Sequence, residues 1–118
     1  KGVRLMKAKR WKTWMFKLGA QPPHPPIIYR KTSIQTYRYN LSYPIISDFE
    51  YLENLFSQSL KYYRGNRTLI HMTRGGKTSS GLISFFRVSV EFYKLKGLFL
   101  GTIFLICRPP LKILMSLK

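Results

Sequence analysis

Residues 65–108 read GNRTLIHMTRGGKTSSGLISFFRVSVEFYKLKGLFLGTIFLICR, and the conformation of this stretch decides the architecture of the chain. From Phe86 the residues alternate: Phe86, Val88, Val90 and Phe92 on one side, Arg87, Ser89, Glu91 and Tyr93 on the other. A two-residue period predicts a half-buried strand over 86–93. Residues 98–106 are apolar except for Gly101 and Thr102, which predicts a second strand covered on both faces. That run is shorter than the ~20 residues a helix needs to cross a bilayer, so no membrane span is expected. Residues 67–73 read as a further strand, closed by a turn at Gly75 and Gly76. Arg108, Pro109 and Pro110 end the apolar run, and Pro110 suits the first position of a short final helix with Leu111, Leu114 and Met115 on one face.

Working outward, Ser47 followed three residues later by Glu50 forms a capping box, and Asp48 adds a second acid to the first turn. Phe49, Leu52, Leu55, Phe56, Leu60 and Tyr63 follow helical spacing, and Gly65 supplies the stop after Lys61 and Arg64. Residues 27–43 are rich in β-branched and aromatic side chains and predict one or two strands. There Arg30, Lys31 and Arg38 interleave with Tyr29, Tyr37 and Tyr39, which fits an RNA-facing strand and an ordinary half-buried one equally well. GAQPPHPP, at 19–26, is a proline-rich breaker. Taken together the sequence predicts an α+β fold: a small mixed sheet with one well-capped helix packed on it, a basic N-terminal extension and a short C-terminal helix. The expected division is an arm and linker over 1–26 and an RNA-binding domain over 27–118.

Charge narrows the function. Among 118 residues, 21 Lys and Arg face 4 acids, a formal charge of +17, and a polyanion is the natural partner for such an excess. The hydrophobic share of 45% separates the chain from a disordered basic tail. Cys107 is the lone cysteine, so no internal disulfide exists and a reducing compartment fits better than secretion. The acid-free N-terminal stretch resembles a mitochondrial targeting segment and suits an RNA-contacting arm as well. Tryptophans among its lysines fit RNA or a membrane interface, and Trp11 and Trp14 packing on the body of the domain is as good a reading. Candidate RNA contacts are Lys7, Lys9, Arg10 and Lys12 in the arm, Arg30, Lys31 and Arg38 beyond the linker, and Arg74 and Lys77 on the Gly75–Gly76 turn. Gly76, Lys77 and Thr78 end like a phosphate-binding loop, but His71 stands where its first glycine belongs and no helix is expected to follow. His24, His71, Cys107 and the few acids compose no catalytic set or metal cluster, so no enzyme activity and no cofactor are expected.

Residues 75–101 resemble the large-subunit ribosomal protein family that holds the 5S ribosomal RNA, the fifth of the universal large-subunit series. Gly75, Gly76, Lys77 and Thr78 stand for that family's glycine turn, SVEFYKLK at 89–96 for its basic strand, and Gly97 and Gly101 for its spaced glycine pair. The resemblance implies contacts to 5S ribosomal RNA through Arg74, Lys77, Lys94 and Lys96. In it Gly97 and Gly101 shape the loop and the transfer RNA elbow lies within reach. It also implies neighbouring ribosomal proteins as partners, with another fragment of a split protein supplying the family's missing C-terminal half. The expectation is a structural, rRNA-binding constituent of a mitochondrial ribosome, in the matrix, near the central protuberance. Two alternatives stay open: a small-subunit ribosomal protein, either a fragment of the messenger-entry protein or the fourteenth of that series, and a basic membrane-associated organelle subunit.

Overall fold

A computed structural model describes residues 11–58, 60–65, 67, 70 and 81–116. Among these there is no strand, and the α+β expectation is overturned: the protein is helical. A 3-10 turn, Thr13–Leu18, comes first, then a shorter one at Lys31–Ser33. Helix α1 follows at Ser47–Ser57, and helix α2 takes Gly81–Ser116. Residues 27–43, expected as strands, contain the Lys31–Ser33 turn and irregular chain. Most of the strand expected at 67–73, and the turn at Gly75 and Gly76, lie outside the described residues.

The two strands expected at 86–93 and 98–106 are the two arms of α2. Gly97 divides them with a left-handed φ of 75° and ψ of 176°, a region open essentially to glycine alone. Past it the helix folds back. The Phe92 and Phe104 rings lie 5.3 Å apart, whereas twelve residues of straight helix would separate them by about 18 Å. The reversal is tight because Gly101 faces Tyr93: a Cβ there would fall 2.9 Å from the ring's Cε1, closer still to Cδ1, and 3.2 Å from the Tyr93 Cα. Any side chain at 101 would therefore push the arms apart.

The sequence pattern misleads here for a physical reason. Phe85, Val88, Phe92 and Leu95 recur at spacings of three and four as well, so the run 85–95 satisfies a helical period and a strand period together. The helix buries Val88 and Phe92 and leaves Phe86 and Val90 exposed. Ser89, on the other side of the strand pattern, is buried with its hydroxyl donating to the Phe85 carbonyl at 2.7 Å, a bond only a helix provides. Thr102 does the same to Leu98 at 2.8 Å. The final helix does not start at Pro110: the second arm runs through Pro109 and Pro110, which offer no N–H to the carbonyls one turn earlier.

The core is aromatic. Trp11, Phe16, Phe49, Phe92 and Phe104 form a chain of mostly edge-on contacts, with ring centroids 5.0–5.6 Å apart. Trp11 also donates its indole N–H to the Ala20 carbonyl at 3.0 Å, which satisfies its polar atom inside the core. Part of the segment read as an arm is thus integral to the fold, since Trp11, Met15, Phe16 and Ala20 are all buried. Gly19 ends the 3-10 turn in a left-handed conformation, with the Phe104 ring where its Cβ would be. Trp14, by contrast, is half-exposed.

Helix α1 starts where the sequence predicts and ends early, at Ser57. Its N-cap is Ile46, without a side-chain cap, so the Ser47–Glu50 capping box does not form. Its place is taken from far along the chain: the Glu91 carboxylate, buried at 7% exposure, accepts from the N–H groups of Ile45 at 2.9 Å and Ile46 at 3.0 Å. A buried anion at a helix N-terminus meets unpaired donors and the positive end of the dipole together.

Candidate nucleic-acid interface

All four acids of the chain are engaged within the fold. Glu91 caps α1, Asp48 accepts from Gln21 Nε2 at 2.9 Å, Glu50 accepts from Asn54 Nδ2 at 2.7 Å, and Glu53 pairs with Lys96. Glu53–Lys96 is the ion pair found among the described residues. Each acid thus has a partner within the fold, whereas Lys12, Arg30, Lys31, Arg38 and Lys94 are exposed.

Of the cations the sequence singles out, Lys12, Arg30, Lys31, Arg38 and Lys94 are exposed. Lys96 is instead held by Glu53 and is half-buried, which removes it from the free positive surface. Lys7, Lys9, Arg10, Arg74, Lys77, Gly75 and Gly76 lie outside the described residues. Gly97 makes the reversal of α2 and Gly101 the close contact with Tyr93, so both act between helices and not in a loop between strands.

Two groups of aromatic and basic side chains stand out. The first gathers around Trp11. The Tyr62 ring lies 6.4 Å from Trp11 and 5.1 Å from Phe56, which brings the chain after α1 against the start of the described N-terminal segment. Lys12 follows Trp11 in the chain, and Lys61 and Arg64 flank the Tyr62–Tyr63 pair, so this contact links the two basic segments. Arg64 lies over the Tyr62 ring at 5.2 Å and donates from Nη2 to its hydroxyl at 2.8 Å, while its Nε–H has no hydrogen-bond partner. Tyr63 beside it is 94% exposed. Oriented guanidinium and free phenol ring are the two things a single-stranded nucleic acid uses: a phosphate donor and a stacking platform. The sequence reading placed Tyr63, Lys61 and Arg64 on a longer α1 and missed them as a site; the YYR triplet itself is the signal that was available.

The second group is a tyrosine cluster. Tyr39 stacks on Tyr51 at 4.5 Å, Tyr29 and Tyr37 meet Tyr51 edge-on at 6.0 and 6.1 Å, and the Tyr39 hydroxyl lies 3.3 Å from His24 Nε2. Burial raises the pKa of Tyr29, with Tyr39, Tyr51 and Asp48 adding to the effect, and burial likewise raises Tyr39 and Tyr51. At Tyr51 the nearby Arg38 opposes the effect of burial; Arg38 is exposed and donates to the carbonyls of Gln35 and Tyr37 at 3.2 and 3.1 Å.

Among the described residues no three His, Cys, Asp or Glu side chains gather as a metal ion requires. A groove of about 200 Å³ lined by Thr13, Phe16, Lys17, Glu53, Phe56 and Ser57 is smaller than the roughly 300 Å³ at which small-molecule sites begin. No helix among the described residues is long and apolar enough to cross a membrane.

Comparison with known proteins adds no relative. The chain matches no family model, no curated protein and no solved structure.

Proposed function

We propose that this chain is a structural, RNA-binding constituent of a ribonucleoprotein, with a mitochondrial ribosome the particle that suits it best. The observation that carries the proposal is the fate of the charges: every acid is engaged within the fold, and a formal +17 remains to be neutralised from outside. Exposed Tyr63 beside Arg64, and exposed Lys12, Arg30, Lys31 and Arg38, support a surface that meets RNA. The placement beside 5S ribosomal RNA rested on strands that are helices in this fold, so the proposal carries no position within the particle.

Titration of a labelled ribosomal RNA fragment at several salt concentrations tests it. Each phosphate contact removed should flatten the slope of log K against log salt by about 0.7–0.9. Lys12→Gln, Lys61→Gln and Arg64→Gln are each expected to do so, and Lys96→Gln, whose partner is Glu53, is expected to leave the slope unchanged. A triple variant that keeps the wild-type slope would overturn the proposed surface.

A further inference from the structure

Helix α2 turns apolar side chains outward on both arms. On the first arm Ile83, Phe86 and Val90 are all at least half-exposed and fall at spacings of three and four, so they share a stripe. Arg87 and Lys94, both exposed, follow Ile83 by four and eleven residues, which sets them along one edge of that stripe. Just past the reversal at Gly97, Leu98 and Phe99 are 79% and 78% exposed, and residues 97–107 contain no charged side chain. The core uses none of these residues, and of them Lys94 alone is also a candidate RNA contact.

From this we infer that the outer face of α2 docks on an anionic lipid surface, lying in the interface without crossing it. Three observations choose this occupant. A second copy of the chain would bring a formal +17 against another +17, which opposes pairing through this face. Leu98 and Phe99 project at the tip of a reversal, and a fluid acyl layer receives such a ridge without a preformed pocket. Apolar residues edged by Arg87 and Lys94 reproduce the two parts of interfacial binding, buried apolar area and attraction to negative headgroups. The absence of any described helix able to span a bilayer agrees with a surface mode. The inference does not rest on RNA binding: Ile83, Phe86, Val90, Leu98 and Phe99 carry it, and none of them is an RNA candidate.

Flotation of the RNA-free full chain tests it, with vesicles of phosphatidylcholine alone and with about 30% phosphatidylglycerol added. The chain should float with the anionic vesicles and stay behind with the neutral ones. Leu98→Ser with Phe99→Ser should lower partitioning about tenfold or more, and Arg87→Gln and Lys94→Gln about fivefold each. The two charge variants keep the test decisive if the double apolar variant loses helix by circular dichroism. Equal flotation with neutral vesicles, variants that partition like the wild type, or a dimer that Phe86→Gln dissociates would each overturn the inference, the last by identifying a second copy as the occupant.

Discussion

Phe92→Ala is expected to cost about 3–5 kcal/mol, a large share of the ~5–15 kcal/mol that holds a domain of this size together. Phe92 is fully buried where everything meets: edge-on to Phe49 of α1 at 5.1 Å, to Phe104 of the returning arm at 5.3 Å, and under the Arg108 guanidinium at 4.9 Å. Burial pushes the Arg108 pKa down while Asp48 raises it, so the ring contact is part of how that cation is accommodated. The matched control is Phe86→Ala, at 66% exposure, expected to change stability by no more than ~0.5 kcal/mol. The comparison separates the two conformations of 86–93. On a strand Phe86 and Phe92 share a face and would cost alike; on this helix they do not. Urea midpoints of the two variants give the answer, and equal losses would refute the helical arm.

The second large effect belongs to Glu91→Leu. Leucine fills the volume but leaves the Ile45 and Ile46 N–H groups without an acceptor in a buried site, at about 1–3 kcal/mol for each orphaned donor. A loss of ~3 kcal/mol or more follows, visible as a fall of roughly 10 °C in thermal midpoint. Glu91→Gln keeps a carbonyl oxygen and gives up the charge at the helix N-terminus, so it should cost about 1 kcal/mol. The order wild type, Gln, Leu is the signature of a cap. A Leu variant as stable as the wild type would mean that the carboxylate faces solvent, as an outward strand position would place it.

Local features of the fold were legible in the chain. The stripe of Phe49, Leu52 and Leu55 follows from spacing alone and all three are buried, whereas the start of α1 was placed correctly from a capping box that does not form. What could not be read is long-range. Nothing near Ser47 says that its helix is capped by a residue about 45 positions later, and nothing near Lys96 says that Glu53 neutralises it. Residues 86–106 failed for a different reason. β-Branched and aromatic side chains that suit a sheet are tolerated in a helix when tertiary burial rewards the three–four spacing, and periodicity cannot arbitrate an apolar run such as 98–106. Gly97 and Gly101 drew attention as a pair, and the fold supplies their physical roles: a left-handed reversal and a contact too close for a Cβ.

The candidate interface was half legible in the same sense. Exposed Lys12, Arg30, Lys31 and Arg38 could be named from charge because an excess of +17 leaves few cations a partner. Tyr62, Tyr63 and Arg64 could not, because their gathering beside Lys12 depends on the Trp11 to Tyr62 contact across the fold. One arrangement joins the two properties: acids serve as caps and ties within the fold, while Lys12, Tyr62 and Tyr63 stay exposed.

Ultraviolet crosslinking of the chain in its native particle, followed by sequencing of the attached RNA, tests that account most directly. The prediction is that crosslinks concentrate on the peptide carrying Tyr62, Tyr63 and Arg64 and map to a few defined positions in ribosomal RNA. Recovery of no RNA, or of crosslinks scattered over messenger RNAs, would contradict it.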